Sequence, residues 1–551
     1  MGILSSLQFN DETTIPLGNN DIIVFVGPNN AGKSQSLKDI YKLCENENND
    51  VTVIKHLEFT KPSQEDLVKS ISKNCRTVNN GGYVEYKSYG FSMSSHSLAS
   101  FQGWQALGPL RNYLVSHLST EERLRLANPP QQINRTDPWT HPIHYPSFDS
   151  TYRKRLSDCF ERAFGSKIVP NVLNGRTVPL CIGNDLAISE ADATYQEAIE
   201  SYSEILGSYE QVQNQGDGIR SFVGITLNMM LDNYELFLLD EPESFLHPPQ
   251  AKIMGETIGE LAKQSTQVII STHSKEIVQG VTEACPSRVK VIRITREGSA
   301  NTFSVLNNDP ICSIWSDSLL RHSEIMNCMF HSSAVICESD SDCKMYSIVF
   351  DHWKQSANLP AQTQFIHCGG KSRVASIVKI LRSIGVDYRA VVDIDILDNR
   401  DTLKKLAESC GGDFEAISVD YNNLRSQIVQ QKTPISKESL SSILDSAPDP
   451  LTDPDIKAIE KALSAKSPWA PLKESGRAAI PHGNATRAFD NINAYMQSLG
   501  VFIVPVGEIE SFVPSIGNHG PKWVEDVLDA YPDLSNPVYH AITQFVETWQ
   551  L

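Results

Sequence analysis

Apolar runs that end in Gly or acidic residues recur along the chain, and each is followed by a stretch of helical periodicity. Asp21–Gly27 (DIIVFVG) reads as a strand, followed by a Gly-rich turn and a helix pattern from Lys33 to about Leu43. A helix pattern over Ile219–Leu231 leads into a strand over Glu235–Asp240. Gln250–Lys263 repeats the step and leads into Gln267–Ser271, and strand-rich sequence over Val289–Leu306 closes this half. A second alternation is expected from near Ser318, with strands Ala334–Cys337, Gln364–His367 and Arg389–Ile394. A last strand, Val501–Val506, precedes helices running to the C-terminus. Strands alternating with helices predict an α/β fold with mostly parallel sheets.

The stretch from 100 to 205 breaks the alternation. Asn128–Pro146 holds five prolines and must be largely irregular, with helix patterns at Tyr152–Phe164 and Ala191–Gln211. It reads as a mostly helical insertion between residues 1–99 and 206–315, with residues 320–551 as a second αβ domain. Polar, partly Pro-containing sequence fills roughly 420–480, which suggests helical insertions there too. A length of 551 residues has room for about three or four domains.

Composition narrows the class. No run of about 18 apolar residues occurs, so no membrane helix is expected. Met1–Asn10 has no basic and apolar leader, and the eleven cysteines are scattered without a CxxC pair. A cytoplasmic protein with reduced thiols is the simple expectation. The net charge of −18 argues against coating nucleic acid with the whole surface; any DNA contact must be patchy, metal-assisted or conditional. Arg153-Lys154-Arg155 and Lys371-Ser372-Arg373 read as solvated helix or loop ends.

Gly27-Pro28-Asn29-Asn30-Ala31-Gly32-Lys33-Ser34 fits G-x-x-x-x-G-K-[ST] between a strand and a helix, the context this motif requires. Gly27 and Gly32 let the backbone curl so that its N–H groups, with those of Asn29, Asn30 and Ala31, face phosphates. Lys33 would reach the β- and γ-phosphates and Ser34 would ligate Mg²⁺. Leu236–Glu241 is an apolar strand ending in two acids. Asp240 would hold Mg²⁺, and Glu241 would act as general base on the attacking water. His273, at the tip of the next strand, is placed to sense the γ-phosphate.

A second group of acids follows. Ala334–Asp342 is an apolar strand ending in an acidic loop that begins at Glu338, and Val391–Asp395 ends in D-x-D. On a strand, Asp393 and Asp395 would share one face. Parallel strands would then bring Glu338 to the same sheet edge. Clustered carboxylates need a cation, and hard oxygen ligands favour Mg²⁺ or Mn²⁺.

The first set of motifs resembles the ABC/SMC-like ATPases, and the turn Glu241–Pro248 is similar to that of the OLD (overcoming lysogenization defect) and RecF-like branch. This resemblance implies a signature loop, for which Asn214–Ser221 is the candidate. Gly216 and Gly218 are its phosphate-facing glycines, although the usual leading Leu-Ser is missing. It also implies ATP sandwiched between two copies, hence at least a homodimer. Gln102 and Gln105 are positional candidates for a Q-loop. The second set resembles a Toprim domain in which Ser339 stands where Gly is usual. That resemblance implies Asp342 as an additional acid ahead of Asp340, Glu510 as a third acid ahead of Glu508, and Lys522 as a catalytic lysine.

ATPase followed by Toprim is the order of the OLD-family nucleases. The resemblance implies an ATP-regulated, metal-dependent DNA endonuclease, often in antiphage defence. A helicase, a reverse transcriptase with its RNA–DNA product, or another defence protein are the partners such systems use. The competing expectation is an ABC-type sensor or clamp on DNA or foreign protein, with a non-catalytic Toprim scaffold. A topoisomerase or primase would need a further domain that the sequence does not show.

Overall fold

The computed structural model describes residues 3–137, 139–184, 195–298, 300–306, 324–359, 362–430, 437–456, 459 and 468–550. The chain divides into two units, Met1–His322 and Ser323–Leu551. Ser318, where the second alternation was expected to begin, lies outside the described residues.

The first unit is built on a six-stranded sheet: β1 (Ile22–Val26), β2 (Val115–Leu118), β3 (Leu236–Asp240), β4 (Gln267–Ser271), β5 (Val289–Glu297) and β6 (Ala300–Leu306). Their order is β6-β5-β1-β4-β3-β2, parallel throughout except that β6 returns antiparallel on β5. Every residue of β1 and β4 is buried, as expected of central parallel strands covered on both faces. Four helices matter for the site: α1 (Lys33–Glu45), α3 (Asp217–Met229), α4 (Pro248–Leu261) and α5 (Lys275–Ala284). A three-stranded antiparallel sheet of Leu4–Phe9, Thr14–Pro16 and Ile54–Phe59 adds Leu4, Leu7 and Phe9 to the same core.

β2 falls inside the stretch expected to be an insertion, yet it forms the edge of the central sheet. Its four residues, VSHL, are too short and too polar to show a period. Ser116 is buried there by donating to Asn228 Oδ1 (2.6 Å). The Pro-rich segment that follows carries one bridge, Gln131 to Thr177, and a short helix, His144–Phe148. Helix α2 (Ser150–Phe164) starts where the Asp149 side chain accepts from Thr151 N–H and stops at Gly165, φ 71°. The helix expected over Ala191–Gln211 is described as Tyr195–Ser208; residues 191–194 lie outside the description.

The second unit has a four-stranded parallel sheet of β7 (Ser333–Cys337), β8 (Thr363–His367), β9 (Asp387–Val392) and β10 (Val501–Ile503), in the order β8-β7-β9-β10. Helices α6 (Asp340–Ser356), α7 (Lys371–Ser383) and α8 (Pro521–Ala530) flank it. Trp523, Trp549, Tyr346, Phe350 and Phe545 fill one side. Helices Arg400–Ser409, Glu415–Gln430 and Lys437–Ser446 are inserted between β9 and β10. No helix among the described residues is long and apolar enough to cross a membrane.

Candidate nucleotide and metal sites at two strand edges

β1, β4 and β3 lie side by side in register, with Phe25 opposite Ser271 and Ser271 opposite Asp240. Their C-terminal ends therefore deliver the phosphate loop, His273 and the Asp240-Glu241 pair to one edge. Gly27 (φ 138°) and Gly32 (φ 101°) take backbone angles that disfavour side chains, and Asn30 adopts φ 62°. A Cβ on Gly27 would overlap the Ile294 carbonyl of β5. The loop is also held from β6: Asn301 Nδ2 donates to Ala31 O (2.7 Å), and Asn10 Nδ2 donates to Asn301 Oδ1 (3.1 Å).

Lys33 is 4% exposed, and its ammonium donates to the Gly27 and Pro28 carbonyls, both at 2.8 Å. Burial lowers its pKa to about 8 against the opposing pull of Glu241, Glu243 and Asp240. Ser34 sits in the first turn of α1. Asp240 Oδ1 is buried with no hydrogen-bond partner, an orphaned acceptor at the end of β3. His273 Nε2 stands 3.6 Å from Glu241 Oε1, and burial holds its pKa low. Phosphate loop, Asp240, Glu241 and His273 thus come together. The fit to a nucleotide with a divalent cation rests on that orphaned oxygen beside a loop lysine.

Two residues that sequence reasoning missed organise this edge. Glu243 Oε1 accepts from Thr272 Oγ1 (2.8 Å) and from His273 N–H (2.7 Å), so it holds the turn that carries His273. Arg123, buried, donates to the Asp240 carbonyl (2.7 Å) and so fixes the end of β3 from the helix Thr120–Leu126. The signal for Glu243 was an acid two residues past the acidic pair; Arg123 offered none. Gly216 caps α3, and Gly218 lies under the Phe245 carbonyl in the turn after β3. Neither glycine shares a hydrogen bond with the phosphate loop. Gln102 donates to the Pro62 carbonyl (2.9 Å), and Gln105 stands exposed. Nothing observed ties either to the loop.

In the second unit, Glu338 follows β7, and one oxygen from each of Glu338, Asp393 and Asp395 lies within 4.8 Å of the others. The way they meet differs from the expectation. β9 ends at Val392, so Asp393 and Asp395 do not share a strand face. Asp393 instead opens a 3₁₀ turn, Ile394–Asp398, and its N–H donates to Glu338 Oε1 (3.0 Å). The turn wins because Ile394, Ile396 and Leu397 are all buried by curling, where a strand would alternate them. Burial raises the pKa of both Glu338 and Asp393; the Asp393 N–H opposes this at Glu338, Glu338 adds to it at Asp393, and Asp395 and Asp342 add to it at both. Asp395 Oδ1 is buried and has no hydrogen-bond partner. An all-carboxylate cluster that resists ionisation and leaves an acceptor orphaned fits a hard divalent cation.

The remaining acids are placed differently. Asp342 Oδ2 accepts from Ser339 N–H (2.9 Å) while Asp342 N–H donates to Ser339 Oγ (3.2 Å), a capping box at the start of α6. One oxygen of the expected ligand is thus committed to the helix start. Asp340 is exposed and pairs with Lys344. Glu510 does not join the Glu338 group. It clusters with Glu508 and His519 within 4.8 Å and accepts from Gly520 N–H (2.9 Å). Lys522 is exposed in the first turn of α8, with no bond to an acid among the described residues. The lysines that do meet the acids were not foreseen in that role: Lys371 pairs with Asp395 (3.1 Å) and Lys473 with Glu508 (3.3 Å). Lys371 had been read as part of a solvated basic cluster.

Residues 182–278 match the family described as AAA ATPase domain, a span that holds Asp240, Glu241 and His273 but not the phosphate loop. Residues 329–395 match "Overcoming lysogenization defect protein-like, TOPRIM domain" and hold Glu338, Asp393 and Asp395. The Old nuclease of Escherichia phage P2 is 23% identical over 317 residues, 57% of this chain and 48% of the relative. The chain thus spans about half the length of the curated relative it matches. Among solved structures, an SMC head bound to the C-winged helix domain of ScpA aligns at TM-score 0.34 and 11% identity, over 56% of this chain and 99% of that one. The SMC head domain from Thermotoga maritima aligns at 0.29 and 12%, over 56% and 97%. At these scores they add nothing to what the sheet order shows. The chain thus carries a stretch similar to an AAA ATPase domain, followed by a stretch similar to an OLD-like TOPRIM domain.

Proposed function

We propose that this protein is an ATP-regulated, metal-dependent DNA endonuclease. The observation that carries the reading is the meeting of Glu338, Asp393 and Asp395 at the C-terminal edge of a parallel sheet, in a chain that also holds a full phosphate-loop motif. The name of the phage relative supports the same class of activity.

In this reading Lys33 and the loop amides of Asn29–Gly32 bind the phosphates, and Ser34 and Asp240 hold Mg²⁺. Glu241 orients and deprotonates the attacking water, with His273 beside it. In the second unit Glu338, Asp393 and Asp395 hold Mg²⁺ or Mn²⁺. A bound divalent cation there would activate water and offset charge on the scissile phosphate. Lys371 sets the position of Asp395, and Glu510, with Lys473 acting through Glu508, forms the far wall. Gly216 and Gly218 face the nucleotide of a second copy, which makes the working form a homodimer. Antiphage defence, a cytoplasmic location, and a helicase, reverse transcriptase or other defence protein as partner belong to the same proposal.

The test is cleavage of supercoiled and linear DNA by the purified chain with Mg²⁺ or Mn²⁺, with and without ATP. Cleavage that Glu338→Ala abolishes supports the reading, and the response of Lys33→Ala gives the sign of ATP control. Cleavage that survives Glu338→Ala overturns the site. No cleavage under any condition, with or without the partners above, returns the sensor or clamp with a non-catalytic scaffold.

A further inference from the structure

A pocket of about 650 Å³ opens at the other end of the first unit's sheet. Asp232 and Asn233 line it and immediately precede β3, whereas the phosphate loop and Glu241 lie at the C-terminal strand ends. The two sites are therefore separated by the length of a strand. Nothing in the nucleotide or carboxylate chemistry uses this pocket.

Its lining combines two features that rarely coincide by packing alone. Trp139, Tyr145 and Tyr152 form a half-buried aromatic wall, with ring centroids 4.8 Å apart for the first pair and 5.4 Å for the second. Lys73, Arg76 and Lys87 stand exposed on the facing rim, supplied by the helix Gln64–Asn74 and the hairpin that follows it. Three carboxylates also line the pocket; only Asp232 is neutralised by a cation, and the other two accept from backbone N–H groups. Asp232 pairs with Lys263 (2.6 Å) and accepts from Tyr152 OH (3.0 Å). Asp149 accepts from Thr151 N–H, and Asp137 from Asn134 N–H. Lys73 and Arg76 have no ion-pair partner among the described residues. The rim therefore offers two cations, Lys73 and Arg76, in the same pocket as the aromatic surface, while Lys87 is held by Glu85 (3.1 Å).

We propose that this pocket binds one nucleotide unit, an aromatic base carrying a phosphate, either free in solution or at an end or gap of a single strand. A base stacks on exposed aromatic rings whatever its identity, and paired cations take the phosphate. The Asn74 and Asn233 amide nitrogens already donate to Tyr113, so the spare lone pairs of Asp149 and Asp232 are the acceptors left for the base edge. The volume lies in the range of small-ligand sites, about 300–1,000 Å³. This site lies wholly in the first unit and is independent of the nuclease reading.

The experiment uses the full chain carrying Lys33→Ala, so that phosphate-loop binding is suppressed. Each of the four 5′-deoxynucleoside monophosphates, a short single strand and a blunt duplex are titrated calorimetrically. Saturable binding of a mononucleotide, weakened about tenfold or more by Trp139→Ala and by Lys73→Glu/Arg76→Glu, is expected. Binding of the single strand alone, with the same sensitivity to the variants, assigns the strand as the source of the nucleotide. Lys73→Glu/Arg76→Glu alters only exposed side chains and so keeps the test valid if Trp139→Ala fails to fold. No binding of mononucleotide or single strand, or binding that Lys73→Glu/Arg76→Glu leaves unchanged, overturns the proposal.

Discussion

Replacing Glu243 separates positioning from chemistry at the nucleotide edge. The residue accepts two hydrogen bonds from the turn that carries His273. Glu243→Ala leaves the Thr272 hydroxyl and the His273 N–H without that acceptor, and ATP turnover is expected to fall about tenfold or more, the usual cost of losing an outer-shell partner. Glu243→Gln keeps an acceptor oxygen and is expected to restore most of the rate. Equal loss in both variants, measured as steady-state phosphate release, would make the charge itself the active feature. At this scale the sequence was informative where a motif fixes spacing. The strand, Gly-rich turn and helix around Gly27–Ser34, and the strand that ends at Asp240, could be read directly because each is a short local pattern. Arg123 and Lys371 could not, because their partners come from distant segments: Arg123 meets a carbonyl 117 positions away and Lys371 a carboxylate 24 positions away.

Helix starts and strand ends decide how the acids are presented. Ser339 stands where Gly is usual in the loop after β7, and the structure gives it a definite task, since Ser339 and Asp342 cap α6 reciprocally. Ser339→Ala should cost about 1 kcal/mol and Ser339→Gly only a few tenths. Thermal melting should then rank parent, Gly and Ala in that order; an Ala variant as stable as the parent would leave the cap without weight. The same element scale explains the misreading at D-x-D. Val392-Asp393-Ile394-Asp395 alternates like a strand, but the strand ends at Val392. Beyond it three buried apolar residues in four positions demand a turn, a pattern that strand periodicity reads as noise. β2 was hidden for a similar reason: parallel pairing with β3 makes it a strand, and its own four residues do not.

The whole molecule carries a pH signature set by its carboxylate cluster. Glu338 and Asp393 hold protons in the fold at pH values where the unfolded chain has released them. The folded state thus binds more protons, so stability falls as pH rises from about 5 to about 8. In EDTA the melting temperature of the second unit should drop across that window. Mg²⁺ or Mn²⁺ should flatten the slope by stabilising the ionised acids, more at pH 8 than at pH 6. Asp393→Asn should make it shallower without metal, leaving the part that Glu338 contributes, and weaken the response to metal. A slope in EDTA that Asp393→Asn leaves unaltered would place the titrating groups elsewhere. The charge of −18 is the background for this behaviour, and it was legible from composition; the concentration of acids at one strand edge required the fold.

The bond from Asn301 to the Ala31 carbonyl makes the phosphate loop and the β5–β6 hairpin one mechanical body. β6 is also the last described element of the first unit before the chain passes on toward the second. Whatever free energy a triphosphate spends in steadying the loop is shared, through one amide and the contact of Gly27 on Ile294, with the strand from which the chain departs. Deuterium uptake by the amides of Ala300–Leu306 should therefore slow when ATP is added, and Asn301→Ala should break that response while loop protection persists. In engineering terms the hairpin is a tension member: it ties the phosphate loop to the last described strand of the first unit.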